Sequence, residues 1–292
     1  MPDSPWRLDS SKCTECSACE RSCNHGVITC SGDGAKGLPR QRDDRYCNSC
    51  GHCVAVCPTD AITVKGIRAV EKGALPTPEM LENLFAFRRS TREFLPDAIP
   101  EAVMDKLLHA ARLAPSGCNN RRLGYQVLSG QAEVIALGRS LDRMARPFAR
   151  VLGNSMAQRT LGLVNRGFVR NLTNQNMIGG MNSLLDKTEG WKDGDKGDWI
   201  ALDAPALIII HGDPGASTPK DDAVIAATFI TLYAETLGLG TCFNGVLTGF
   251  LNDFPGALRK VGIAKPRKVY SVLSVGYPDT KRVAFKKGLV RD

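Results

Sequence analysis

The chain has 292 residues, 43% of them hydrophobic and 23% charged, with a formal net charge of +8. That length exceeds one typical domain, and the composition excludes a disordered chain, so one or two folded domains are expected. No apolar run reaches the roughly 18 residues of a membrane span, and Met1-Pro2-Asp3-Ser4 opens no apolar signal core, so the expectation is a cytoplasmic protein without membrane association. Eleven cysteines are unevenly spread: nine fall between Cys13 and Cys57, and only Cys118 and Cys242 follow. Residues 1–65 balance eight basic against eight acidic side chains, so residues 66–292, with thirty against twenty-two, carry the whole surplus. A phosphate cofactor, an acidic partner protein, nucleic acid or an acidic substrate would each satisfy that charge.

Crowded cysteines in a reducing compartment point to metal or redox chemistry rather than to a disulfide scaffold. Cys13, Cys16, Cys19 and Cys23 form C-x2-C-x2-C-x3-C, and Cys47, Cys50, Cys53 and Cys57 repeat it, with Pro58 after the last. Three thiolates at every third residue can wrap three irons of a cube while the fourth reaches to the other cube, as in bacterial two-cluster ferredoxins, which this segment resembles. The expected ligand sets are Cys13, Cys16, Cys19 and Cys57 for one [4Fe-4S] cluster, and Cys47, Cys50, Cys53 and Cys23 for the other. Structural zinc would leave the third cysteine of each run without a place. A thioredoxin-like pair would need a flanking strand and helix that are missing. Cys30 falls outside both sets as a small packed residue, and His25 and His52 are neighbours rather than ligands. Asn24 stands where a proline usually follows the fourth cysteine of such a run.

Lys65 to Pro78, punctuated by Gly66, Gly73, Pro76 and Pro78, reads as a linker. The boundary is placed near residue 70, giving domains 1–70 and 71–292. Helical spacing of Val103, Met104, Leu107, Leu108 and Ala111 predicts a helix over 101–113, opened after Pro100 and stopped by Pro115. Apolar runs at 125–128, 206–211 and 269–275 predict strands of a sheet buried on both faces. Asp222 to Leu237, apolar nearly all round and ended by Gly238, predicts a helix through the core. The second domain is therefore α+β. Arg139 to Lys187 is strongly cationic and reads as a solvated helical face, a lid over an anion or a docking surface. Thr188 to Asp198 reads as a surface loop.

Arg88-Arg89-Ser90-Thr91-Arg92 gathers guanidinium forks and hydroxyls suited to bidentate phosphate binding. Ala114-Pro115-Ser116-Gly117-Cys118-Asn119-Asn120 offers a carboxamide and backbone donors after a helix. Gly238-Leu239-Gly240-Thr241-Cys242-Phe243-Asn244-Gly245 permits close backbone approach. Its glycines have the wrong spacing for a dinucleotide fingerprint and follow a helix instead of a strand, which excludes a Rossmann domain. In order and spacing the three segments resemble the nitroreductase family of FMN enzymes over residues 79–292, as does the closing Gly276-Tyr277-Pro278 with its basic tail.

That resemblance implies a mixed sheet flanked by helices in an interlocked homodimer, with FMN at the subunit interface. By the same resemblance Arg88, Arg89, Ser90 and Arg92 hold ribityl and phosphate, and Arg282, Lys286 and Lys287 close on the phosphate. Asn119 meets the ring from the partner subunit, and Pro115 and Ser116 belong to the cofactor-binding residues. Thr241, Cys242, Phe243, Asn244 and Gly245, with Gly240, lie at its N5 edge. Where family members often continue Asn-x-Gln-Pro-Trp, this chain has Asn119-Asn120-Arg121-Arg122-Leu123. His109 and His211 are isolated, and no Ser-His-Asp set, H-E-x-x-H or Walker loop occurs, so the chemistry falls to the cofactors. The expectation is a ferredoxin-fused FMN reductase with a low-potential donor such as a ferredoxin. Its acceptor is expected to be a small organic molecule: a nitroaromatic, quinone, flavin or activated alkene. Two rivals are a non-enzymatic electron carrier or flavin-handling protein, and a zinc-ribbon module on a basic nucleic-acid binder. The absence of any nucleic-acid module speaks against the second.

Overall fold

The computed structural model describes residues 5–30, 37–42, 44–144, the backbone of 145–153, and residues 198–254, 256–281 and 287–289. It divides into two compact units: Met1–Pro76 with Cys118–Asn120, and Thr77–Gly117 with Arg121–Asp292. The linker expected at 65–78 contains the division at Pro76.

The first unit is built from very short elements. Strand β1 (Trp6–Leu8) pairs antiparallel with β4 (Ile62–Val64), and β2 (Ile28–Cys30) pairs with β3 (Pro39–Gln41). Two single-turn helices, α1 (Ala18–Arg21) and α2 (His52–Ala55), sit 34 residues apart in sequence, as the two cysteine runs do. The backbone repeats with them. Glu15 and Ser17 before α1, and Ser49 and Gly51 before α2, all take positive φ, so each run winds around its cysteines through the same pair of left-handed residues. The core is small: Val27, Ile28, Val54, Ile62 and Val64 bury around Cys19 and Cys53.

In the second unit α3 (Pro78–Phe87) starts on Thr77, whose hydroxyl accepts from Met80 N, with Pro78 at the first helical position. Helix α4 (Glu101–Leu113) matches its sequence expectation; Ala114 before Pro115 turns extended, as a residue preceding proline prefers. Then follow β5 (Leu123–Ser129), α5 (Gln131–Gly153), β6 (Ala206–Gly212), α6 (Pro219–Thr236), β7 (Gly240–Phe243), α7 (Gly245–Asp253), α8 (Ala257–Lys260) and β8 (Lys268–Gly276). The strands order β5-β6-β8-β7, all antiparallel, and a parallel bridge from Ser90 to Thr241 makes the edge mixed.

Alternation along β6 explains why the sheet is buried on both faces. Leu207 and Ile209 enter one core with Val134, Leu141, Leu247 and Leu251; Ile208 and Ile210 enter the other with Leu107, Ala227 and Ile230. Helix α6 buries a small-residue face of Ala223, Ala226, Ala227, Ile230 and Ala234 against the second core. Its opposite stripe, Val224, Ile225, Phe229 and Tyr233, is exposed in the single chain, so the helix is not enclosed on every side as its composition suggested. Among the described residues no helix is long and apolar enough to cross a membrane. Most of the cationic stretch, residues 154–187, and most of the expected loop, 188–197, lie outside the described residues.

His211 on β6 accepts a hydrogen bond at Nδ1 from Arg267 Nε, 2.7 Å away, and must stay neutral to do so. Burial, reinforced by the Arg267 charge, holds its pKa below the ordinary 6.5. The unfolded chain takes up a proton near pH 6.5 while the fold resists it. This contribution to stability is therefore present above about pH 6.5 and is lost as pH falls from there toward the depressed folded value. Thermal unfolding between about pH 7.5 and 5.5 should show a shallower acid loss in His211→Gln than in wild type; parallel curves would remove His211 from the pH dependence.

Candidate functional site

The eight paired-run cysteines gather into two rings within the first unit. One cavity is walled by Cys13, Cys16, Cys19 and Cys57, the other by Cys23, Cys47, Cys50 and Cys53. The fourth cysteine of each run lies in the cavity of the other run. Backbone donors already point at sulfur: Glu15 N lies 3.4 Å from Cys13 Sγ and Ala61 N 3.2 Å from Cys57 Sγ. Among the described residues no three such groups converge on the point a single ion needs; these thiols line open cavities instead. Burial, with Cys30 beside it, pushes the Cys19 thiol up to about 12. Burial, with Cys50, Cys47 and Cys23 close by, pushes Cys53 up to about 11. Burial thus favours the neutral thiol at Cys19 and Cys53, and cationic metal would turn these two into thiolates. Cys30 sits on β2 next to Cys19 and lines neither ring.

In the second unit the guanidinium-rich run lies extended along β7. Thr91 N donates to Thr241 O at 2.9 Å, and Leu95 N to Tyr277 O at 2.9 Å. Side chains of an extended segment alternate, and here they divide the arginines. Ser90 and Arg92, with Arg88, act on Cys242; burial raises that thiol's pKa while these three groups pull against the rise. Arg89 and Thr91 alternate with them along the segment, and Arg89 to Arg92 all line one cavity. Thr91 lies where a Cβ on Gly240 would be, so only glycine fits there. Arg89 donates through Nη1 to the Arg88 carbonyl at 2.9 Å, and its buried Nη2 has no partner among the described residues. A cavity of about 430 Å³ runs along this segment, lined by Phe87, Arg89, Ser90, Arg92, Glu235 and Pro278 among others. Burial raises the Glu235 pKa against the pull of Arg88 and Arg89. The unmatched buried guanidinium nitrogen marks a place where an incoming anion would find a donor.

Other residues named from sequence have different surroundings. Thr241 and Cys242 are buried in β7, and Phe243 is exposed. Asn244 caps α7: its Oδ1 accepts from Leu247 N, and its Nδ2 donates to Ile200 O and Ser274 Oγ, leaving only its backbone to meet a ligand. The space beside Gly245 Cα is open. Pro115 and Ser116 line a second cavity, of about 370 Å³, with Arg112, Arg121, Tyr125 and Asp222. Asn119, grouped with the first unit, donates its amide to Asn48 O and Ser49 O at 3.0 and 2.9 Å. Arg282 and Lys286 lie outside the described residues; Lys287 is exposed. Sequence reasoning missed Glu235, Arg112, Tyr125 and Asp222, each of which reads locally as an ordinary helix or strand residue.

Residues 85–277 match the model of the nitroreductase family, and residues 12–61 match that of a 4Fe-4S dicluster domain. A ferredoxin of Methanothermococcus thermolithotrophicus is 45% identical over 60 residues, 20% of this chain and 93% of that protein. An uncharacterized ferredoxin of Methanocaldococcus jannaschii is 32% identical over 65 residues, 22% of this chain and 83% of its own length. Among solved structures, a nitroreductase with bound FMN from Bacteroides fragilis superposes with a TM-score of 0.52 at 20% identity, over 74% of this chain and 96% of its own.

Proposed function

Because the chain belongs to the nitroreductase family and carries a 4Fe-4S dicluster ferredoxin domain ahead of that region, we propose that it draws low-potential electrons through two [4Fe-4S] clusters to FMN and reduces a small organic acceptor. The observation that carries this reading is the coexistence, in one chain, of two four-cysteine rings and an arginine-hydroxyl cradle with an unmatched buried guanidinium nitrogen. Bound there, the clusters would supply one-electron transfer at low potential and the flavin would join single electrons into a two-electron reduction.

The protein's own residues hold and screen. Cys13, Cys16, Cys19 and Cys57 bind one cluster; Cys23, Cys47, Cys50 and Cys53 bind the other. Arg88, Arg89, Ser90 and Arg92 hold the FMN phosphate and ribityl, and Gly245, open beside its Cα, lets backbone approach the ring. Lys287, with Arg282 and Lys286, closes on the phosphate. The exposed apolar stripe of α6 supports a homodimer, since Val224, Ile225, Phe229 and Tyr233 on one helix face would otherwise stand in water. Acceptors in reach of this chemistry are nitroaromatics, quinones, flavins and activated alkenes.

Anaerobically prepared protein should hold about eight iron and eight sulfide per chain. Cys50→Ala should lose about half of each, and Cys30→Ala should lose none. Stoichiometric zinc with little iron would overturn the ligand sets.

Arg88→Ala removes a charge-assisted contact worth about 1.5–3 kcal/mol and should weaken FMN by about 10-fold or more in a fluorescence titration. An unchanged affinity would move the phosphate elsewhere.

Reduced ferredoxin should drive acceptor reduction well and NADH poorly, because such clusters can lie as low as about −700 mV, where reduction by a nicotinamide is uphill. The basic surplus of residues 66–292 suits an acidic donor protein, so the ferredoxin-driven rate should fall with salt. Steady-state turnover of an added acceptor also separates an enzyme from a carrier. Rapid NADH-driven turnover that survives Cys50→Ala would leave the clusters without this role.

A further inference from the structure

The second cavity holds more cationic character than flavin binding asks of it. Pro115 and Ser116 are given to the cofactor by the reading above; Arg112, Arg121 and Tyr125 are not, and they line the same 370 Å³. That volume suits a small organic molecule. Its walls are divided by chemistry. Ala111, Ala114, Leu123 and Ala226 give apolar surface, and Arg112 and Arg121 bring two guanidinium groups. The one carboxylate present, Asp222, is buried, and its Oδ1 already accepts from Gly117 N at 2.9 Å and from Thr218 Oγ1 at 3.0 Å. Accepting from neutral donors leaves its charge in place, so the lining carries two guanidinium groups and one carboxylate.

Arg121 is held there at a cost. Its φ of 45° is left-handed, as are Cys118 at 53° and Asn119 at 52°, a backbone region that disfavours residues with side chains. Ser116 Oγ accepts from Arg121 N at 3.3 Å and ties the turn to the cavity wall. Burial raises the Tyr125 phenol pKa, so it stays protonated; its hydroxyl lies 3.5 Å from Ala111 O at the cavity. An anion here is distinct from the phosphate assigned to Arg88, Ser90 and Arg92 of the same chain. Helix α6 carries Asp222 at this cavity and Glu235 at the other, about 20 Å apart at 1.5 Å per residue.

We propose that Arg112 and Arg121 bind the carboxylate of the acceptor, which is an organic acid with a flat apolar body lying on Ala114, Leu123 and Ala226. This rests on the reading of the chain as an acceptor-reducing flavoenzyme in which Pro115 and Ser116 belong to the cofactor-binding residues. A guanidinium fork matches a carboxylate in two parallel hydrogen bonds, and apolar wall residues take the rest of the molecule.

The test pairs para-nitrobenzoate with para-nitrobenzamide, nearly equal in shape and different in charge, on the holoenzyme with reduced methyl viologen as donor. Wild type should prefer the anion by about 10-fold or more in kcat/KM, the scale of one charge-assisted contact. That preference should shrink toward parity in R112Q and in R121Q and be partly kept in R121K, whose ammonium lacks the fork. Arg112 lies on the exposed side of α4, so R112Q keeps the test open should the left-handed Arg121 position tolerate no change. Calorimetric binding of benzoate to the same proteins gives a readout free of turnover and should weaken about as much. Parity in wild type, or a preference that survives both Gln variants, would overturn the proposal while leaving the reductase reading intact. Benzoate binding that needs both arginines, with neither nitro compound reduced, would uphold the anion site and sink the reductase reading instead.

Discussion

The pairing of the extended run after α3 with β7 is the constraint on which the second unit's chemistry rests. The Ser90–Thr241 bridge and the Thr91 N to Thr241 O bond fix which residues of Arg88–Arg92 look which way. Ser90 and Arg92 reach Cys242 only in this register; a slip of one residue would exchange every side chain for its neighbour and turn Arg89 toward the thiol instead. Several features lock the register. Thr91 occupies the space above Gly240, Phe94 is buried and bridges Pro278, and Asp279 N returns a hydrogen bond to Glu93 O at 2.9 Å. A larger residue at 240 would therefore disturb the charge arrangement as surely as loss of an arginine.

How much of this was legible in the sequence depended on how local each signal is. Three cysteines at every third residue declare themselves as one group, whereas the crossing of the fourth was legible only through the ferredoxin resemblance; one cavity is lined by Cys13, Cys16, Cys19 and Cys57 and the other by Cys23, Cys47, Cys50 and Cys53. Helix α4 and the three long strands were legible because their apolar periodicity spans whole elements; strand ends extended one or two residues beyond the apolar run, where backbone pairing continues past side-chain burial. Side-chain commitments were not legible. Asn244 reads as a polar residue in a glycine-rich loop, yet its amide is consumed by Ile200, Ser274 and Leu247, the first two 44 and 30 residues away in sequence. The second cavity draws Arg112, Tyr125 and Asp222 from three elements, and no spacing rule connects them.

The first unit illustrates a different economy. Its strands are three residues long and its helices one turn, and its core of small aliphatic side chains is modest. Four left-handed residues, three of them not glycine, are spent on winding the chain around the cysteines. Only at Gly51 does a neighbour, Ile67, also crowd the Cβ position; the equivalent Ser17 keeps its side chain. Elements this short and turns this costly make sense when cysteine ligation supplies folding energy that the apolar core does not, as in other small metal-held domains.

The second unit makes the opposite choice and places its costs at the cavities. Its interior carries two large apolar clusters on either side of β6 and β8, enough to tolerate local losses elsewhere. Those losses are visible: an unmatched Arg89 Nη2, a Glu235 whose ionisation burial opposes, a Cys242 thiol held protonated under cationic neighbours, and a left-handed arginine at 121. Each is unfavourable in the bare chain, and each is a polar or strained group beside a cavity rather than in the packed core. An anion binding along the strand would supply the missing acceptor and relieve the crowding of positive charge. Binding energy and folding energy are then linked, because whatever satisfies the folded site but not the unfolded chain stabilises the fold by mass action. The rigid double core is thus what lets the site keep the Arg89 Nη2 buried and unmatched.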